Sequence, residues 1–297
     1  VKKQSVAFIG AGQAASALAL ALKIKGYHIS GVSSKGGESA ERLAGLVGTA
    51  LYGTDNVKVV QGATVVFIAV SDDEIASVAD ELGKSGNEWN GSIVGHLSGV
   101  LTSDILDPLR KKGASVMSFH PAQSLTGLTD PESAFGGIVF GMEGDPEALA
   151  FGEEVAHNLG SKTAIISPQG KALYHIANVA ASNYLVTLLG EAVRILEKTG
   201  VETERALELL LPLSNGTLRN IRELGIDKAL TGPISRGDIE TIEKHMEALS
   251  AALPGSMDIY CELGQKTVEI AQKKGSIGEK TADELNHLLN PDKYFNR

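Results

Sequence analysis

The chain has 297 residues, 43% of them hydrophobic and 21% charged, a composition typical of a folded protein of about two domains. It excludes a disordered, a collagen-like and a purely coiled-coil chain. The formal charge of −9, from 27 basic and 36 acidic residues, leaves no basic footprint for a nucleic-acid backbone, and the single cysteine, Cys261, excludes an internal disulfide framework or a cysteine-rich zinc site.

The opening Val1-Lys2-Lys3-Gln4 runs straight into an apolar segment with no leader of the secretory type, so a soluble cytoplasmic protein is expected. The first 165 or so residues alternate strand and helix signals. Val6-Ala7-Phe8-Ile9 is a short apolar run ending at a glycine turn, and an Ala/Leu-rich helix over 13–25 stops at Gly26. Strands are expected at 28–32, 63–70, 92–94, 115–119 and 137–140. Ser71-Asp72-Asp73-Glu74 reads as a capping box that starts a helix. This rhythm predicts an α/β fold, a Rossmann-type doubly wound and mostly parallel sheet.

The pattern changes after Ile166. Ser167-Pro168-Gln169-Gly170 is a break, and strand signals then fade. Residues 171–199 predict one helix about 40 Å long at 1.5 Å per residue. Its apolar stretch near 172–190 holds His175, Asn178, Ser182 and Asn183, which makes it a poor membrane span. Further helices are expected near 203–213, 236–252, 256–274 and 280–290. The expected division is a dinucleotide-binding domain over 1–166 and an all-helical C-terminal domain over 167–297. A helix this long and apolar hints at a homodimer sharing its helical domain.

Gly10-Ala11-Gly12-Gln13-Ala14-Ala15 fits G-x-G-x-x-A between a strand and a helix, the context in which that motif binds a dinucleotide. Gly10 permits the tight turn and Gly12 the approach of a pyrophosphate, which the free N–H groups of the helix N-terminus then hold. The second strand ends in Ser33-Ser34-Lys35, with no carboxylate before Glu38. A carboxylate would grip a ribose 2′-hydroxyl; two hydroxyls and an ammonium suit a 2′-phosphate, so NADP(H) is expected over NAD. Ala69-Val70-Ser71 should lie beside the cofactor, and His96-Leu97-Ser98-Gly99 and His120-Pro121 near its nicotinamide end.

Lys171, His175, Asn178 and Ser182 fall on one face of the helix that opens the second half, bordered by Tyr174. A polar stripe on an apolar helix needs a partner, a ligand or water. Lys171 or His175 could donate the proton that accompanies hydride transfer, and Asn178 or Asn183 could orient a carbonyl. The same stripe could instead be a polar seam between helices or subunits. Ser98, His120 and Tyr174 are candidate substrate contacts. Arg236, in Thr231-Gly232-Pro233-Ile234-Ser235-Arg236-Gly237-Asp238, could grip a substrate carboxylate, or Asp238 could cap a helix with Arg236 solvated. No Tyr is followed four residues later by Lys, there is no G-K-[ST] loop and no H-E-x-x-H, and no metal site is expected among the seven scattered histidines.

The stretch from Val6 to Ala15, with Ala69-Val70-Ser71-Asp72-Asp73, Ser118-Phe119-His120-Pro121, Lys171-Ala172-Leu173-Tyr174-His175, Ser182-Asn183-Tyr184, and Thr231-Gly232-Pro233 with Arg236-Gly237-Asp238, resembles bacterial Rossmann-like proteins with a C-terminal helical domain of unknown function. That family is similar to ketopantoate reductase, pyrroline-5-carboxylate reductase and the 6-phosphogluconate dehydrogenase group. The resemblance covers nearly the whole chain. It implies an NADP-dependent oxidoreductase with a helical, dimeric second domain. Ketopantoate reductase and the hydroxyacid dehydrogenases carry a Lys followed four residues later by Asn on the equivalent helix; Lys171 matches the Lys, and His175 stands where the Asn would be. The activity expected is hydride transfer between nicotinamide and a small carboxylate-bearing carbonyl or imine, a 2-oxo acid of ketopantoate type foremost. The alternatives are a non-enzymatic NADP-binding regulator and an oxidative dehydrogenase of prephenate or amino-acid type. No nucleic-acid or membrane partner is expected.

Overall fold

The structure is a computed structural model that describes residues 4–126, 130, 131 and 133–295. The expected lead-in at Val1-Lys2-Lys3 lies outside the described residues. Contacts divide the chain into two compact units, Val1–Ser182 and Asn183–Arg297.

In the first unit the elements run β1 (Ser5–Ile9), α1 (Gln13–Ile24), β2 (His28–Ser33), α2 (Gly37–Val47), β3 (Tyr52–Gly53), α3 (Asn56–Val59), β4 (Val65–Ile68), α4 (Asp72–Lys84), β5 (Ile93–His96), α5 (Asp107–Arg110), β6 (Ser115–Pro121), β7 (Val139–Gly144), α6 (Pro146–Asn158), β8 (Lys162–Ile165) and α7 (Lys171–Ala181). The eight strands form one sheet in the order β3-β2-β1-β4-β5-β6-β7-β8. All neighbours are parallel except β6 and β7, which run antiparallel and set Ser118 opposite Glu143 and His120 opposite Gly141. This is the Rossmann-type, mostly parallel sheet expected from the sequence. The order turns back on itself at β1 and β4, and ligands of such sheets sit beyond the carboxyl ends of the strands at that point.

Strand alternation sorts the core into two layers. Val6 and Phe8 of β1 join one cluster with Leu18, Leu22 and Phe67, while Ala7 and Ile9 join the other with Ile68, Leu82 and Val116. A row of aromatic rings, Phe8, Phe67, Phe119 and Phe140, runs along the sheet from β1 to β7, with the last pair stacked 4.2 Å apart between centroids. Such ring pairs add about 0.5–1.5 kcal/mol each beyond the area they bury.

The second unit contains α8 (Asn183–Glu197), α9 (Thr203–Leu224), α10 (Ile226–Ala229), α11 (Pro233–Arg236), α12 (Ile239–Ala252), α13 (Met257–Lys274), α14 (Glu279–Leu288) and α15 (Asp292–Phe295). Ile242, Met246, Cys261, Val268 and Leu285 are fully buried in its core. Gly264 lets α13 pass close to Leu289, whose Cδ2 lies 2.7 Å from where a Cβ would project.

Two helix expectations are corrected. The single helix over 171–199 is broken at Ser182 (φ −116°, ψ −71°), which separates α7 from α8. Ser and Asn compete with the helix for backbone hydrogen bonds, and Ser182-Asn183 places two of them in sequence. The helix expected over 203–213 continues to Leu224, carrying Pro212 inside it. Ser71 makes no side-chain cap on α4, so the expected capping box does not form; the Glu74 carboxylate pairs with Lys35 instead.

Candidate active site

The fingerprint turn joins β1 to α1. Gly10 has φ +104°, and a Cβ there would lie 2.2 Å from the Ala69 carbonyl oxygen, so only glycine fits. Gly12 differs: a Cβ there would meet nothing within 4 Å, because the residue faces open space at the mouth of a cleft of about 270 Å³. The cleft is lined by Gly10, Ala11, Gly12, Ser34, Lys35 and Asn56 and by Ala69, Val70 and Ser71 after β4. No side chain caps the N-terminus of α1, leaving its first N–H groups for an anion. Buried Ala15 lets α1 lie against the sheet. These features fit a dinucleotide pyrophosphate.

At the end of β2 the expected residues divide. Ser33 is fully buried and donates to Asn56 Oδ1 at 2.7 Å, so Asn56 lines the cleft in its place. Ser34 lines the cleft and accepts a hydrogen bond from Ser39 Oγ at 2.9 Å. Lys35 lines it too, paired with Glu74. Gln13 and Ala14 lie on the first turn of α1; Gln13 is exposed and borders a second cleft with Gly12, Ser16 and Arg42.

A second cluster forms around the carboxyl ends of β5 and β6. Lys171, the first residue of α7, is 1% exposed. Its Nζ donates to Ser118 Oγ at 2.7 Å and to the Ser98 carbonyl at 3.3 Å, and lies 5.5 Å from the centre of the Tyr174 ring. Burial pushes its ammonium down to about 8, opposed by the negative charges of Glu143 and Asp72. Glu143 is itself buried, and its two oxygens accept from Ser103 N and Ser103 Oγ, each at 2.7 Å. Arg110 Nη2 donates to the same Ser103 hydroxyl at 3.0 Å.

One turn along α7, the Tyr174 hydroxyl lies 2.9 Å from His120 Nδ1. The ring sits over Gly141, where a Cβ would fall 2.4 Å from the phenol. His175 packs edge-on to His120, their centroids 6.3 Å apart, and its buried Nδ1 has no hydrogen-bond partner. Gly99 makes this convergence possible: a Cβ there would lie 2.8 Å from His175 Nδ1 and 2.9 Å from His120 Nε2. Burial, then the charges of Lys171 and His175, pushes His120 down to about 4. His96 is also pushed to about 4, chiefly by burial. Both nitrogens of His96 are engaged, Nδ1 accepting from Ser98 N at 3.2 Å and Nε2 donating to the Thr102 carbonyl at 3.1 Å, so this ring braces the loop after β5.

Lys171, Tyr174, His175, His120 and Ser98 thus come together. The Ser98 hydroxyl is occupied within its own turn, accepting from Val100 N at 3.3 Å and Leu101 N at 3.1 Å, and Ser98 meets Lys171 through its carbonyl. Asn178 donates to the Tyr174 carbonyl at 2.8 Å, a bond within α7. Asn183 is exposed and opens α8 in the second unit, where its carbonyl accepts from Thr187 Oγ1 at 3.3 Å. Arg236 ends α11, also in the second unit; its side chain is 65% exposed and approaches Asp238 at 3.8 Å. Asp238 caps α12 by accepting from Thr241 N at 3.1 Å. Sequence reasoning placed Gly99 near the nicotinamide end but missed Ser118, Glu143 and Gly141 as site residues. A lone carboxylate inside the apolar run Val139-Phe140-Gly141-Met142-Glu143 was the available signal for Glu143. Among the described residues, no group of three or more His, Cys, Asp or Glu is placed to hold a metal ion.

Residues 1–121 match the model of a Rossmann-like domain, and residues 138–267 match that of a domain of unknown function, DUF2520. No curated protein sequence matches the chain. A Bacteroides fragilis structure described as a candidate NADP oxidoreductase aligns with 26% identity over 90% of this chain and 98% of its own, at a TM-score of 0.74. A Thermotoga maritima protein aligns with 28% identity over 91% of this chain and 99% of its own, at a TM-score of 0.72. The pyrroline-5-carboxylate reductase of Coxiella burnetii shares the fold at 15% identity, with 97% and 99% of the two chains covered and a TM-score of 0.59. The chain therefore joins a Rossmann-like domain to a DUF2520 domain, as the sequence resemblance implied.

Proposed function

We propose that the protein is an NADP(H)-dependent oxidoreductase acting on a small carbonyl or imine substrate that bears a carboxylate. The observation that carries this reading is one sheet presenting two sites at its carboxyl edge: the fingerprint cleft at β1 and β4, and the Lys171–His120–His175 cluster at β5 and β6. The likeness to the Bacteroides fragilis protein supports the choice of NADP(H). Gly10, Gly12 and the α1 N-terminus would hold the pyrophosphate, and Ser34 and Lys35 the 2′-phosphate; when bound, the cofactor supplies the hydride. Lys171 brings positive charge beside the reacting atoms without contacting solvent, since its ammonium is bonded to Ser118 and Ser98. His120 and His175 are the polar groups left to meet the substrate.

The same reading includes a homodimer formed through the helical domain. Its support is apolar surface on α8 and α9: Val186 is 72% and Leu213 68% exposed, with Tyr184, Leu209, Leu218 and Leu224 exposed beside them. The run Pro168–Glu197 is also long and apolar enough to cross a membrane, but its break at Ser182-Asn183 and its polar residues favour a protein partner.

The test is oxidation of NADPH by the purified protein against 2-oxo acids, ketopantoate included, and cyclic imines. Turnover well above background with one class establishes the reading. Tight NADPH binding with no turnover across both classes would favour a cofactor-binding regulator.

A further inference from the structure

Resting on the NADP(H) reading, we infer that Glu74 is a specificity-determining residue of the cofactor cleft. Its carboxylate holds the Lys35 ammonium until a 2′-phosphate takes it, and the same carboxylate is the acceptor that a free ribose 2′-hydroxyl needs. The chain therefore takes NAD(H) as well as NADP(H), and this one side chain restrains its preference for the phosphate.

The sequence carries no carboxylate between the fingerprint and Glu38, the stretch in which an NAD site would place one. The fold brings one from another element. Glu74 sits in the first turn of α4, and with Ser77 and Val78, three and four residues on, it presents one face of that helix to the fingerprint cleft. Among the described residues that line the cleft, Lys35 is the only cation and Glu74 the only carboxylate. Because the two are paired, the Glu74 carboxylate lies beside the end of β2, where the ribose 2′ position is read. Its polar neighbours are committed elsewhere. Asn56 accepts from Ser33 Oγ at 2.7 Å and donates to Glu81 Oε2 at 2.8 Å, and Ser77 Oγ donates to the Glu74 backbone carbonyl at 3.0 Å.

The two partners are unequally held. The Lys35 side chain is 85% exposed and that of Glu74 24%, so the ammonium is free to swing while the carboxylate stays with its helix. An exposed pair of this kind contributes little, and a dianionic phosphate draws the ammonium from it. The phosphate then meets Glu74 as a like charge. Two anions that bond one Nζ, each about 2.8 Å from it, lie no more than roughly 6 Å apart. At that separation in water the repulsion is worth at most about tenfold in affinity, and salt reduces it. For a 2′-hydroxyl the sign is reversed. An ionised carboxylate has about four acceptor sites, enough to keep Lys35 and receive a ribose hydroxyl together.

The test is calorimetry of the full chain with NADPH, NADH and adenosine 2′,5′-bisphosphate, the last reporting on the adenosine end alone. The wild type should bind both cofactors, NADPH the tighter. In Glu74→Gln, NADPH and the bisphosphate should bind about fivefold tighter and NADH about threefold weaker, with the melting temperature unchanged. The gain for NADPH should shrink as salt is raised. Lys35→Gln should weaken NADPH about tenfold and leave NADH unchanged. A residue that only held α4 in place would move both cofactors in the same direction. Equal shifts, weaker NADPH binding in Glu74→Gln, or a wild type that ignores NADH would each overturn the inference while leaving the NADP(H) reading intact. A wild type that binds neither cofactor would overturn both.

Discussion

Relative to a matched variant that lacks the Lys171 amine, the folded protein should gain stability as the pH rises. Burial holds the pKa of this amine at about 8, against 10.5 for an ordinary lysine. Below pH 8 both folded and unfolded chains carry the proton, and the folded chain bears the full cost of the buried charge. Between pH 8 and 10.5 the folded chain has lost the proton and the unfolded chain has kept it, so stability rises with pH. Integrating the linkage relation from pH 7 to pH 10 gives a gain of about 2.5 kcal/mol. Lys171→Met keeps the length of the side chain and removes the titration. Urea unfolding of both proteins, followed by fluorescence of the sole tryptophan, Trp89, reports on the first unit, in which that ring is buried. The difference in unfolding free energy should move in favour of the wild type by about 2.5 kcal/mol between pH 7 and pH 10. Parallel pH profiles would refute the burial argument, as would a shift the other way.

The two fingerprint glycines should fail differently. Gly10→Ala forces a side chain into positive φ and against the Ala69 carbonyl and should cost at least about 1–3 kcal/mol in thermal unfolding. Gly12→Ala meets no protein atom and should leave the melting temperature unchanged while weakening NADPH binding tenfold or more by calorimetry, about 1.4 kcal/mol. Glu143→Ala strips Ser103 of both acceptors and should lower stability by roughly 1–3 kcal/mol in urea titration. It also removes the charge that props up the Lys171 pKa, so the alkaline rise in stability should begin at lower pH than in the wild type. Leu213→Glu together with Val186→Glu should convert a dimer to a monomer in sedimentation velocity; a wild type that is already monomeric at micromolar concentration would refute the assignment of that surface.

What the sequence made legible was local. The fingerprint, its strand and its helix lie within twenty residues, and glycine spacing encodes them directly. Strands β3 and β8 escaped notice because each is a sheet edge, one of two residues and the other a mixed Lys-Thr-Ala-Ile run, with little burial to impose a pattern. The reversal at β7 has no sequence signal, since parallel and antiparallel strands draw on the same residues. Lys171 was visible as a polar residue on an apolar helix, but its acceptors were not: Ser118 is 53 residues away and the Ser98 carbonyl 73. Glu74 shows the limit of local rules, because a carboxylate three residues after Ser71 fits a capping box until an ammonium from the loop after β2 lies closer.

The position of α7 bears on how this chain could be recombined. A boundary drawn at Ser167, where strand signals end, would assign Lys171, Tyr174 and His175 to the helical half. The contacts assign α7 to the sheet, and the break at Ser182 falls after the last residue of the cluster. A chimera that exchanges helical halves between relatives should therefore cross over at 182–183. Joined there, the donor sheet keeps its own lysine, phenol and imidazoles as a set. Joined at 167, it would borrow them from a helix selected against a different Gly99, Ser118 and Gly141.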